Sequence, residues 1–119
     1  RTERGTIKML ISVSKTFLLT GEFTSDELDA HTDLLADCLL DLEDAVLLDS
    51  TVSASIEAHL VMIRITIEAE SIEDGAMRAD VAMRTAIHAA HGHTPKWSGP
   101  KTADVEFITQ AQEAVLIPA

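Results

Sequence analysis

The chain has 119 residues, 46% of them hydrophobic, with twenty acidic against nine basic side chains and a formal net charge of −11. That length and apolar content suit one domain whose core needs no metal or disulfide staple, and a single cysteine, Cys38, offers no internal disulfide. The charge balance, with aromatics at 3% and no tyrosine, argues against nucleic acid, which calls for basic patches and stacking rings.

No apolar run approaches the length of a membrane span; the run at 58–63 is short and carries His59. Residues 1–6 are expected to form a flexible N-terminal extension, and the cytoplasm is the expected compartment. Residues 7–20 alternate with period two. Ile7, Met9, Ile11, Val13, Phe17 and Leu19 share one face with Lys15 as its interruption, and Lys8, Ser12, Ser14, Thr16 and Thr20 share the other. At roughly 3.3 Å per residue such a strand would run about 45 Å, so either a bend or bulge near Lys15 or an end that projects from the domain is expected.

Gly21 and Glu22 break the strand. Thr24 with Glu27 fits a capping box, and Phe23 with Leu28 a hydrophobic staple. Leu28, His31, Leu35, Cys38, Leu39 and Leu42 then form the inner stripe of a helix that should end near Glu43 and Asp44. A second strand follows, with Val46, Leu48, Val52, Ala54 and Ile56 inward against Leu47, Asp49, Thr51, Ser53 and Ser55. Residues 57–60 read as a turn, and Val61, Ile63, Ile65, Ile67 and Ala69 as the inward face of a third strand.

Ser71 with Asp74 predicts a second helix start, and Ile72, Ala76, Ala79, Met83, Ile87 and Ala90 its inner stripe, closed at Gly92. Residues 92–103, with Pro95, Gly99 and Pro100, read as a loop. Val105, Phe107, Thr109, Ala111, Val115 and Ile117 alternate as the inward face of a last strand.

The order strand, helix, strand, strand, helix, strand resembles the ferredoxin-like fold: an α+β two-layer sandwich with a four-stranded antiparallel sheet and two helices on one face. The resemblance spans about residues 7–117 within a single domain of residues 1–119, and it is nearly silent on function. The tract His-Ala-Ala-His-Gly-His-Thr-Pro-Lys-Trp at 88–97 also looks like small uncharacterised bacterial proteins of this shape. Several members of the superfold are set aside by their residues. The first loop, Thr20-Gly21-Glu22-Phe23-Thr24, lacks the Cys-x-x-Cys of heavy-metal-associated domains and the glycine-rich, arginine-bearing loop of acylphosphatases. The middle strands lack the aromatics of RNA-recognition motifs. A ligand-sensing regulatory domain of the ACT type stays open, since Gly21 suits its first strand–helix turn.

Three constellations carry the functional readings, and none assigns a catalytic residue. His88, His91 and His93, with Asp80 upstream on the same helix, could hold Zn²⁺ or another transition metal; the plainer account is that histidines suit the negative end of a helix. Asp29, Asp33, Asp37 and Asp41 repeat at i, i+4 on the first helix, as a docking face for a basic partner or as a solvated face.

The third is the sheet face turned away from the helices. It should carry Ser12, Ser14, Thr16, Thr51, Ser53, Ser55, Arg64, Thr66, Gln110 and Gln112, mixed with Leu10, Leu18, Leu47, Met62, Ile108 and Leu116. Such a face is more apolar than solvation requires, which predicts a homodimer, sheet to sheet or edge to edge. Ligand contacts there would come from Arg64, Ser12, Ser14 and Thr66, with Trp97 from the late loop; Arg64 could instead pair with Glu57 or Glu106. The leading expectation is thus a non-enzymatic binding or assembly module, dimeric through this face. A metal protein or enzyme using the histidines, and an acidic interaction module using the first helix, are the alternatives.

Overall fold

The structure, a computed structural model, describes residues 8–21, 23–43, 47–55, 57–90 and 105–117. The elements run β1 (Met9–Gly21), α1 (Ser25–Leu40), β2 (Asp49–Ser55), β3 (Leu60–Ala69), α2 (Ile72–Ala89) and β4 (Val105–Leu116). Gly92, Pro95, Trp97, His91 and His93 lie outside the described residues, as do Ile7, Val46 and Ile56.

Both helices begin where their caps dictate. The Thr24 hydroxyl accepts from the Glu27 N–H at 3.1 Å while the Glu27 carboxylate accepts from the Thr24 N–H at 2.7 Å, a reciprocal capping box. At α2 the Ser71 hydroxyl accepts from the Asp74 N–H at 3.0 Å, and the Asp74 carboxylate accepts from the Glu70 N–H at 3.1 Å. Gly21 closes β1 with φ of 122°, a conformation open to glycine and costly for other residues.

The sheet order is β2-β3-β1-β4, every described pairing antiparallel. Ile11, Val13, Phe17 and Leu19 of β1 and Val61, Ile63, Ile65 and Ile67 of β3 enter one core with Leu28, Leu35 and Leu39 of α1 and Ala79, Met83 and Ile87 of α2. Both helices therefore cover the same side of the sheet. This is the ferredoxin-like sandwich, with both central strands alternating buried and half-exposed as a one-sided sheet must.

A bulge does occur beside Lys15, but in the neighbouring strand β4; β1 itself alternates unbroken over Met9–Gly21. The β1–β4 register shifts between Thr16 and Phe17, so that Thr16 pairs with Ala111, Phe17 pairs with Thr109, and Gln110 is the extra residue of a bulge. Inward assignments change at three places in the chain. Beyond the bulge the pleat of β4 inverts: Gln112, Ala114 and Leu116 pair with Lys15, Val13 and Ile11 on the helix side, and Ala114 packs on the core. Ala111, Val115 and Ile117 are consequently on the uncovered side, and Gln112 and Leu116 are not. At the entry to β2, Leu47 is buried and Leu48 exposed, the reverse of the alternation. The Leu47 N–H donates to the Leu42 carbonyl and the Leu48 N–H to Thr66, so Leu47 still belongs to the turn beneath α1. Ile72 at the first turn of α2 is exposed; the buried stripe runs through Gly75, Ala79, Ala82, Met83, Ala86 and Ile87, mostly small residues that let the helix lie close on the sheet.

Candidate functional site

The uncovered face of the sheet is built in rows by the strand register. One row runs Thr51, Arg64, Ser14, Glu113 across β2, β3, β1 and β4. Towards one end follow Ser53, Met62, Thr16, Ala111 and then Ser55, Leu60, Leu18, Ile108; towards the other, Asp49, Thr66, Ser12, Val115. The face is thus apolar at the Leu18 end, short and polar in the middle, and mixed at the other end, where a row of Glu68, Leu10 and Ile117 follows; it carries Asp49 on β2, Arg64 and Glu68 on β3 and Glu113 on β4. Leu18, Leu60, Met62 and Ile108 are half-buried by their neighbours alone.

Of the expected ligand contacts, the fold brings four together. Arg64 and Ser14 are cross-strand partners, and the Arg64 Nε–H donates to the Ser14 hydroxyl at 3.1 Å. Ser12 and Thr66 are partners one step along. The pairing proposed for Arg64 does not arise: the register sets it beside Ser14 and Thr51, while Glu106 lies at the far end opposite Thr20 and Glu57 in the turn. Among the described residues neither Arg64 nor Glu113 has an ion-pair partner. Glu113 was missed because the bulge moves it to this face. The signal was present: a charge falling in the phase of an otherwise apolar stripe.

Of the histidine tract only His88 is among the described residues, and among these no group of three histidine, cysteine or acidic side chains could hold a metal. Asp80, expected near His88, is instead the ion-pair partner of Lys15. His88 lines a shallow groove on α2 with Val81, Arg84 and Thr85.

The acidic residues of α1 do align as expected. Asp29, Asp33, Asp37 and Asp41 are all exposed, and no basic residue stands in the last turn. Their field is felt next door: burial first, then Asp41 and Asp37, push the Cys38 thiol above its ordinary range. His31 rests against the Phe107 ring, centroids 5.5 Å apart, at the edge of the core.

Comparison with known proteins finds no matching family model, no matching curated protein and no matching solved structure. The class is defined by the fold alone. No helix among the described residues is long and apolar enough to cross a membrane.

Proposed function

We propose that this protein is a small non-enzymatic assembly module that forms a homodimer through the uncovered face of its sheet. The observation that carries the reading is the apolar end of that face, where Leu18, Leu60, Met62 and Ile108 stand in adjacent rows on the side opposite both helices. Covering side chains of this kind contributes on the order of 1 kcal/mol each. The Ser and Thr residues beside them are short enough to let a second sheet approach to about 10 Å.

Size supports the same reading. Four strands about 4.8 Å apart, paired over ten residues of β1 and β3, present roughly 650 Å² in projection. A standard interface uses about 800 Å² of accessible surface per partner, and a pleated surface exceeds its projection.

Met62→Lys tests the proposal, because it sets an ammonium in the middle of the apolar rows. Light scattering should fall from the mass of two chains to that of one, with the circular dichroism of the fold retained. Val81→Lys, on the outer side of α2, should leave the dimer intact. A dimer that tolerates Met62→Lys would place the contact elsewhere.

A further inference from the structure

We infer that the two copies meet about a twofold axis parallel to β1, with Arg64 of each protomer opposite Glu113 of its partner. The inference rests on the dimer reading above and adds its geometry. Arg64 on β3 and Glu113 on β4 flank Ser14 in a single row, one strand to either side of β1. They are therefore about 9.6 Å apart across the sheet, two strand spacings, and among the described residues neither is ion-paired.

A face-to-face dimer needs a twofold axis lying in the plane between the sheets, either along the strands or across them. An axis along β1 exchanges left and right within each row. Arg64 then faces Glu113, Met62 faces the small Ala111, Leu60 faces Ile108, and Leu18 and Ser14 meet their own copies. An axis across the strands through the same row stacks Arg64 on Arg64 and Glu113 on Glu113. Shifted two residues one way, that second arrangement sets Arg64 over Leu60 and Glu113 over Ile108; shifted two the other way it sets Arg64 over Glu68 but Glu113 over Ile117. Each of these alternatives leaves a charge against a like charge or an apolar side chain, which is unfavourable once water is excluded.

Sheet twist does not disturb the pairing. Aligned sheets pack within about 30° of each other, so their rows diverge away from the centre. Ser14 stands one residue from the midpoint of Met9–Gly21, where divergence is small. The hydrogen bond from Arg64 to Ser14 draws the guanidinium towards the axis and leaves its terminal nitrogens for a carboxylate, in the geometry Arg favours.

The test uses charge reversal in the full chain, read by sedimentation. Arg64→Glu alone and Glu113→Arg alone each put like charges together at both symmetry-related contacts, and each should weaken self-association by about tenfold or more. An equimolar mixture of the two variants should recover a heterodimer, because one chain then supplies two carboxylates and the other two guanidinium groups. The double variant Arg64→Glu/Glu113→Arg should recover the homodimer. Recovery in the mixture also shows that each variant is folded. A wild-type dimer whose single variants associate normally, or whose mixture does not recover, overturns the axis while leaving the sheet-face dimer standing. A wild-type chain that stays single overturns both.

Discussion

Lys15 on β1 and Asp80 on α2 form an ion pair across the sheet–helix interface, with the ammonium 5.7 Å from the centre of the Phe17 ring. Lys15 is 8% exposed and is the buried charged residue among the described positions. A lysine in that place is tolerable while a carboxylate answers it. Asp80→Ala strands the ammonium and should destabilise the fold by about 1–3 kcal/mol in urea unfolding. Lys15→Met combined with Asp80→Leu should regain most of that loss, since a packed apolar pair removes the need for compensation. Equal losses in single and double variants would mean that the pair contributes through shape, not charge.

Gly75 lets α2 sit on β1. A Cβ at this position would lie 2.7 Å from Ile11 Cδ1 and 3.2 Å from Ile11 Cβ, and Ile11 is fully buried on a central strand. Gly75→Ala gains roughly 1 kcal/mol of helix propensity but overpacks the contact by about 1–3 kcal/mol. A net loss of about 1 kcal/mol is expected by denaturant titration. Adding Ile11→Val removes the nearest atom and should reduce the penalty of the alanine.

Asp74 predicts an acid-sensitive helix start. The Glu70 N–H first, and the Arg78 guanidinium second, hold its carboxyl below the ordinary carboxylate range. Its folded-state value therefore lies under its unfolded one. The stabilisation is complete above the unfolded value and is lost as pH falls through that range towards the folded value. Asp74→Ala should lower Tm at pH 7 and flatten the acid side of the Tm curve below about pH 5. Parallel curves for the two proteins would contradict this.

The aspartate ladder on α1 stores repulsion. Asp37→Lys turns two unfavourable i, i+4 neighbours, Asp33 and Asp41, into favourable ones, worth about 1 kcal/mol at low salt. The gain should shrink as ionic strength approaches about 1 M. Because Asp37 helps hold the Cys38 proton, the same variant should speed thiol alkylation at a fixed pH. An unchanged alkylation rate would separate the two effects.

Most of the architecture was legible in the chain because its periods and caps agree. Thr24 with Glu27 and Ser71 with Asp74 mark the helix starts found, and the odd-numbered stripe of β1 is the buried one. What was not legible depends on pairing partners. The extra residue at Gln110 is visible only once Thr16 and Phe17 are known to face Ala111 and Thr109, and it decides that Glu113 shares a row with Arg64. At Leu47 and Leu48 two adjacent leucines carry no phase, and the backbone bond from Leu47 to Leu42 chooses between them. Arg64 and Ser14 were both expected on the open face, but their direct contact needed the register.

The most direct measurement is sedimentation equilibrium of the unaltered chain over about 1–100 µM, the range in which interfaces of this size are populated. The account predicts a mass of two chains that dissociates towards one on dilution. A mass of one chain throughout would contradict it.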